Sequence, residues 1–273
     1  MNERTAAADH ESQLNHLRDD LRAEQQSLDD ALAPLTDEMW QLATPSPGWS
    51  VADQIGHLAF FDAAGTKAIV HPGDFALEVD SLYEGVTRLG YDEYTLGDFR
   101  SLNPVQQLDT WRHHRAQLND AAASLSEGDR VAWYGPSMGA VSFLTARLME
   151  TWAHGTDVAN ALGVTRTPTD RLRHVAQLGF MTRKWSYTVR GEELPAGLVR
   201  LDLTSAAGEH WLWGVEDADD SVSGSAEEFC LVITQRRHLD DTTLETGELG
   251  RHWLLRAQAF AGGPSLGPQA RST

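Results

Sequence analysis

The stretch from Arg147 to Gly163 reads RLMETWAHGTDVANALG. Its Glu150 and His154 are four residues apart. On a helix that spacing stacks both side chains on one face, one turn apart. A carboxylate beside an imidazole is a ready half-site for a divalent metal. Arg147 and Asp157 continue the polar stripe on either side of the pair. Leu144, Leu148, Trp152, Ala159 and Leu162 recur at core spacing on the opposite face. The helix thus has an apolar face and, beside it, a charged one that surface solvation explains poorly. Spacing alone leaves two readings open, a metal half-site or an exposed Glu/His pair, because E-x-x-x-H is common by accident.

Composition narrows the choices. A chain of 273 residues is long enough for one large domain or two small ones with real cores. Hydrophobic content of 41% and nine tryptophans argue for a folded globular protein. No apolar run approaches the length of a membrane span. The first residues, MNERTAAADHESQL, are polar and acidic, unlike a secretory signal. A net charge of −18 repels nucleic acid and anionic membranes, so the expected partner is a small molecule. Cys230 is the single cysteine, which excludes an intrachain disulfide and a C-x-x-C pair and fits a reducing cytoplasm. Any metal must then be held by histidines and carboxylates. The expected assembly is a monomer or homodimer.

Taken in order, residues 1–8 are expected to fray. A helix from about Asp9 carries Leu14, Leu17, Leu21, Leu28, Leu32 and Leu35 as one apolar stripe. TPSPGWS, Thr44 to Ser50, is a turn-rich link whose Trp49 plugs the bundle end. Ser50 with Asp53 is a capping-box pattern opening a second helix that ends near His71-Pro72. His57 lies in it among Ile55, Leu58, Phe60 and Phe61, as a satisfied core histidine or a ligand. Residues 73–102 read as an irregular, acidic and aromatic loop with short helical turns, long enough to cover a pocket mouth. Asn103 and Pro104 start a third helix in which His113 and His114 face the surface. The Arg147–Gly163 helix is the fourth, and a fifth runs from Pro168 to about Tyr187. LVRLDLT and HWLWGV then alternate like a strand hairpin, SVSG is a possible third strand, and Ser225 with Glu228 caps a further helix. This gives a helical domain over 9–187, a small α+β domain over 190–262 and a flexible tail over 263–273. Cys230 sits among Phe229, Leu231 and Val232 and reads as a buried, inert thiol.

Three segments, SPGWSVADQIGHLAFFD, SFLTARLMETWAHGTDVANALG and FCLVITQRRH with AQAFAGGP, together resemble the DinB-like metal-binding superfamily. The branch they resemble is that of the mycothiol-dependent maleylpyruvate isomerases and their actinobacterial relatives. The resemblance covers the chain from about Leu14 to Pro264. It implies an N-terminal DinB-like four-helix bundle followed by a small sterol-carrier-like α+β domain. It also implies that His57, Glu150 and His154 bind a divalent metal, most often zinc, with nickel, cobalt or iron also compatible with such ligands. Arginines hold the substrate's carboxylates in that family; Arg147, Arg236 and Arg237 are the candidates here, and ion pairing on an acidic protein is their other reading. Gln177 stands where such relatives lead one to expect a histidine.

The function this implies is metal-dependent chemistry on a small electrophilic or aromatic metabolite. A thiol of the mycothiol type is activated, giving isomerisation, conjugation or thiol transfer. Asp157 orients a ligand histidine or relays a proton, or is a plain helix-surface group. Two alternatives stand beside this: thiol-independent Lewis-acid chemistry in a biosynthetic pathway, and a non-catalytic metal-containing protein whose Trp211, Trp213 and Trp253 hold an apolar ligand.

Overall fold

The computed structural model describes residues 3–265 and 267–271, with side chains described from residue 13 onward. They divide into two compact units, Met1–Thr165 and Arg166–Thr273. The sequence reading placed the division some twenty residues later, near 187–190. The helix in between resembles a bundle helix in sequence, but its partners lie downstream. Gly179 brings it so close to the later helix Ala226–Ile233 that a Cβ there would stand 2.3 Å from Ile233.

In the first unit the long helices are α1 (Glu3–Leu32), α3 (Val51–Val70), α6 (Pro104–Ala122) and α7 (Ala140–Leu162), with a one-turn α2 (Asp37–Trp40) after α1. Helix α1 starts at Glu3, well before Asp9, so the fraying expected over residues 1–8 is not seen from Glu3 on; Met1 and Asn2 lie outside the described residues. Its leucine stripe is buried as the spacing requires, from Leu14 to Leu32. Asp29 of α1 accepts from Arg112 at 2.7 Å and from Arg115, both on α6, and the Arg115 guanidinium also lies over the Trp111 ring. Helix α3 opens with the capping box of Ser50 and Asp53. Burial alone would raise the Asp53 pKa, but hydrogen bonds from Arg100 and Ser50 outweigh it and hold the carboxyl low. Asn103 and Gln106 form a second capping box at the start of α6, with Pro104 in its first turn. On α6, His113 is exposed, but His114 is not the free surface residue expected: its Nδ1 hydrogen-bonds the Ala59 carbonyl at 3.0 Å.

The segment 73–102 is not a loop. It forms α4 (Pro72–Leu89) and α5 (Tyr91–Arg100). Pro72 stands in the first turn of α4, and Gly90, at φ +87, breaks the chain between the two. The pair packs so tightly that a Cβ on Gly85 would lie 2.0 Å from the Tyr94 ring. A two-strand hairpin, β1 (Arg130–Val131) with β2 (Met138–Gly139), leads into α7, which stops at the left-handed Gly163. Helix α7 is buried over most of its surface, Arg147, His154 and Asp157 included, in keeping with a charged face that solvation explains poorly.

In the second unit, α8 (Leu172–Met181) and α9 (Arg183–Thr188) replace the single fifth helix, broken at Thr182. A mixed sheet follows in the order β4-β3-β5-β6, where β3 is Val199–Thr204, β4 His210–Trp213, β5 Asp220–Ser225 and β6 Glu245–Thr246. Strands β3 and β4 are the expected hairpin, with Leu203 opposite Trp211; β5 returns parallel to β3. Ser225 caps α10 (Ala226–Ile233), and α11 (Glu248–Leu254) buries Trp253 against Phe229. The start of the tail is tied down rather than free, because Ser265 bonds Gln258 and Gln235. Gln177 accepts from the Trp213 indole within this unit.

Cys230 is fully buried on α10, and burial, then the charge of Glu227, pushes its thiol well above the usual range. A thiol reagent such as DTNB is therefore expected to leave the native protein unmodified at pH 8 and to titrate one thiol in denaturant; rapid native reaction would contradict this packing.

Arg147 of α7 donates to Asp62 of α3 at 2.9 Å, with both side chains nearly inaccessible. Removing one partner strands the other. Arg147→Leu is expected to cost about 3–5 kcal/mol in urea unfolding, and Arg147→Leu with Asp62→Leu to recover most of it.

Candidate metal centre

Two neighbouring helices build the site. The N-terminal half of α3 supplies Gln54 and His57, and the middle of α7 supplies Glu150 and His154. One Glu150 oxygen, Oε2, lies 3.1 Å from His154 Nε2 and 3.5 Å from His57 Nε2. Ligand atoms of the three residues fall within 4.8 Å of one another. The imidazole rings are 4.4 Å apart, centre to centre. Both rings therefore turn the same nitrogen toward the same carboxylate. Side-chain exposures of 12% for His57 and 21% for Glu150 show that the cluster is open to solvent on one side.

The electrostatics suit a cation. Burial lowers the His57 pKa, the neighbouring His154 lowers it further, and Glu150 only partly opposes them, so it falls to about 4. The ring is then neutral at neutral pH, with one nitrogen lone pair free for a cation. Burial alone would raise the Glu150 pKa, but hydrogen bonds with His154 and then His57 outweigh it and hold the carboxyl well below its usual range. Two imidazoles and an ionised carboxylate with a side left open match the donor set of zinc and similar divalent ions. The second nitrogen of His57, Nδ1, is buried without a hydrogen-bond partner among the described residues.

Aromatic rings enclose the cluster. Trp49 lies 5.3 Å from the His57 ring and stacks over His154 at 6.0 Å, so it covers the site rather than plugging the bundle end. Its indole donates to Asp92 of α5 at 3.1 Å. Phe61 lies 4.7 Å from His57 and touches Trp133 and Tyr134 in turn. Partial enclosure, then the charges of Glu150 and Asp92, push the Tyr91 phenol up.

The other sequence candidates have separate positions. Arg147 affects the site through its charge, which lowers the His57 pKa, while its guanidinium is held by Asp62. Asp157 is buried and accepts from Ser46 at 3.2 Å, which anchors the link that carries Trp49. The group bonded to His154 Nδ1 is instead Gln54, whose Oε1 lies 2.5 Å away. Arg236 belongs to the second unit, where it donates to the Thr234 carbonyl at 2.7 Å, and Arg237 faces Glu228. Gln54 was missed in the sequence. It precedes His57 by three residues and so shares its helix face, a signal that was present but silent without a partner.

Comparison with known proteins places the chain. Residues 21–159 match the family described as the mycothiol maleylpyruvate isomerase N-terminal domain. Two uncharacterized proteins of Mycobacterium tuberculosis, from strains CDC 1551 / Oshkosh and H37Rv, are each 41% identical over 249 residues, which is 91% of this chain and 96% of theirs. Among solved structures, mycothiol-dependent maleylpyruvate isomerase and a mutant of it align at a TM-score of 0.57 and 16% identity, over 92% of this chain and 96% of theirs. At that identity the likeness speaks for the fold. The matched span takes in half of the chain and all three residues of the cluster, and by it the chain belongs to the mycothiol maleylpyruvate isomerase N-terminal domain family.

Proposed function

We propose that this chain is a metalloenzyme in which His57, Glu150 and His154 hold a divalent ion and a mycothiol-type thiol attacks a small electrophilic metabolite there. The outcome is isomerisation or thiol transfer. The observation that carries the reading is the convergence of two imidazole nitrogens on one ionised carboxylate, with one side open. Family membership, and the likeness to mycothiol-dependent maleylpyruvate isomerase, support the thiol and the isomerase class. A bound zinc ion, or nickel, cobalt or iron in its place, would make a thiol sharing the site more acidic.

The remaining work falls to the chain's own side chains. Trp49 and Phe61 keep water from the imidazoles and offer ring faces to an apolar or aromatic substrate. Tyr91, its phenol kept protonated, acts as a hydrogen-bond donor to substrate oxygen and not as a base. Arg147, engaged with Asp62, contributes positive potential rather than a direct clamp on a carboxylate. Asp157 acts by holding the Trp49 link through Ser46.

Purified protein is expected to carry about one divalent ion per chain by elemental analysis, zinc first on ligand type. His154→Ala should lower that content while the helical circular dichroism persists. Full metal content in the triple alanine variant of His57, Glu150 and His154 would place the ion elsewhere.

Thiol dependence has its own test. In cobalt-substituted protein, mycothiol is expected to produce a thiolate-to-cobalt absorption band, and the metal-free protein none. If saturating thiol leaves the cobalt spectrum unchanged, the chemistry is thiol-independent and acts on an oxygen ligand.

A further inference from the structure

We propose that three hydrogen bonds, running from the Trp49 carbonyl through Thr44 and Gln54, fix a proton on Nδ1 of His154 and so commit its Nε2 to the cation. The role assigned to Nε2 rests on the metal-site reading above; the position of the proton is a property of the chain without metal.

The chain of bonds starts from a group with no choice. A backbone carbonyl only accepts. Thr44 Oγ1 lies 2.9 Å from the Trp49 carbonyl oxygen, so the single hydroxyl hydrogen of Thr44 goes there. Toward Gln54, at 2.8 Å, Thr44 then has only lone pairs to offer. The amide nitrogen of Gln54 must face it, which turns the amide oxygen toward His154 Nδ1, 2.5 Å away. An amide oxygen also only accepts, so Nδ1 carries the hydrogen. The reverse amide orientation would set oxygen against oxygen at Thr44. Gln54 has no exposed surface, so solvent does not relieve that clash.

Two consequences follow. With Nδ1 occupied, the nitrogen left to a cation is Nε2, the one that faces Glu150. Second, the same Trp49 carbonyl also accepts from the Thr44 backbone at 2.9 Å, which closes the link 44–49 beneath the ring that stacks on His154. Thr44 and Gln54 are therefore positioning residues for a ligand and for its cover at once.

The test reads the proton directly. Long-range nitrogen–proton NMR on the histidine side chains is recorded for metal-free and zinc-loaded protein, and zinc affinity is measured against a chelator. The wild type is expected to show Nδ1–H on His154 in both states. Gln54→Leu is expected to lose it in the metal-free protein, the neutral ring shifting toward Nε2–H, and to bind zinc about tenfold or more weakly. Gln54→Glu keeps an acceptor toward Nδ1 and should retain Nδ1–H, although it gives up the amide donor to Thr44. Nδ1–H and zinc affinity both unchanged in Gln54→Leu would overturn the proposal. Should that variant fail to fold, Thr44→Val takes its place: it frees the amide to rotate and should give a mixed ring population, and an unchanged pure Nδ1–H form would again overturn it. If the wild type binds no zinc while the proton still follows Gln54, the metal reading fails and the relay stands.

Discussion

Burying ionisable groups on one central helix is the constraint on which the first unit depends. Helix α7 carries Arg147, Glu150, His154 and Asp157 into the bundle interior. A charge left alone in such surroundings costs several kcal/mol, so each needs a partner from another element. Asp62 meets Arg147, His57 meets Glu150, Gln54 meets His154 and Ser46 meets Asp157. Three of those four partners lie on α3. The register of α3 against α7 is thereby set by polar matching as well as by side-chain shape. Sliding either helix by one turn would leave charges stranded, which apolar packing alone would not penalise so strongly.

The same logic extends outward to the segment that borders the site. Helix α5 reaches α3 because Gly56 has no side chain: a Cβ there would stand 2.8 Å from the Phe99 ring. Once in place, α5 contributes Arg100 to the Asp53 cap and Asp92 to the Trp49 indole. A glycine in α3 thus permits the close approach of α5 that holds Trp49, the aromatic cover, in the link before α3. Acidic residues at these joints accept hydrogen bonds from neutral or cationic donors, which puts part of the chain's large negative charge to structural use.

Much of this was legible in one dimension. The leucine stripe of α1, the capping box of Ser50 and Asp53, the caps at Asn103 and Ser225, the stop at Gly163 and the E-x-x-x-H pair are local spacings, and they appear where the spacing puts them. Helices α4 and α5 were hidden because their apolar pattern is blurred. The buried positions of α4 include a glycine, Gly85, while Leu77, Tyr83 and Leu89 face solvent, so no clean period survives. The seam between the units was misplaced because α8 is amphipathic like a bundle helix, and only its packing against α10 shows where it belongs. Thr44 carried no signal at all, since its role requires two chain segments to meet. Arg147 was visible as a charge on the right face, but its partner Asp62 was not, and the partner decides whether a guanidinium is free to bind a ligand.

The two histidines of the cluster are prepared for a cation by different physics. His154 is oriented by a directional bond to a fully buried amide. His57 has no such brace, for its Nδ1 finds no partner among the described residues. Contacts hold it instead: the Trp49 and Phe61 rings lie 5.3 and 4.7 Å from it, and α3 fixes its backbone. Those contacts also remove water, and burial with the nearby charges brings its pKa to about 4. An imidazole that stays neutral across the physiological range keeps its lone pair without help from a hydrogen bond. Directional bonding therefore matters most at His154, whose Nδ1 meets a polar partner, whereas at His57 desolvation does the equivalent work. An apolar-to-polar change at Phe61 would disturb the second arrangement and leave the first intact, so the two supports are separable although both nitrogens converge on one carboxylate oxygen.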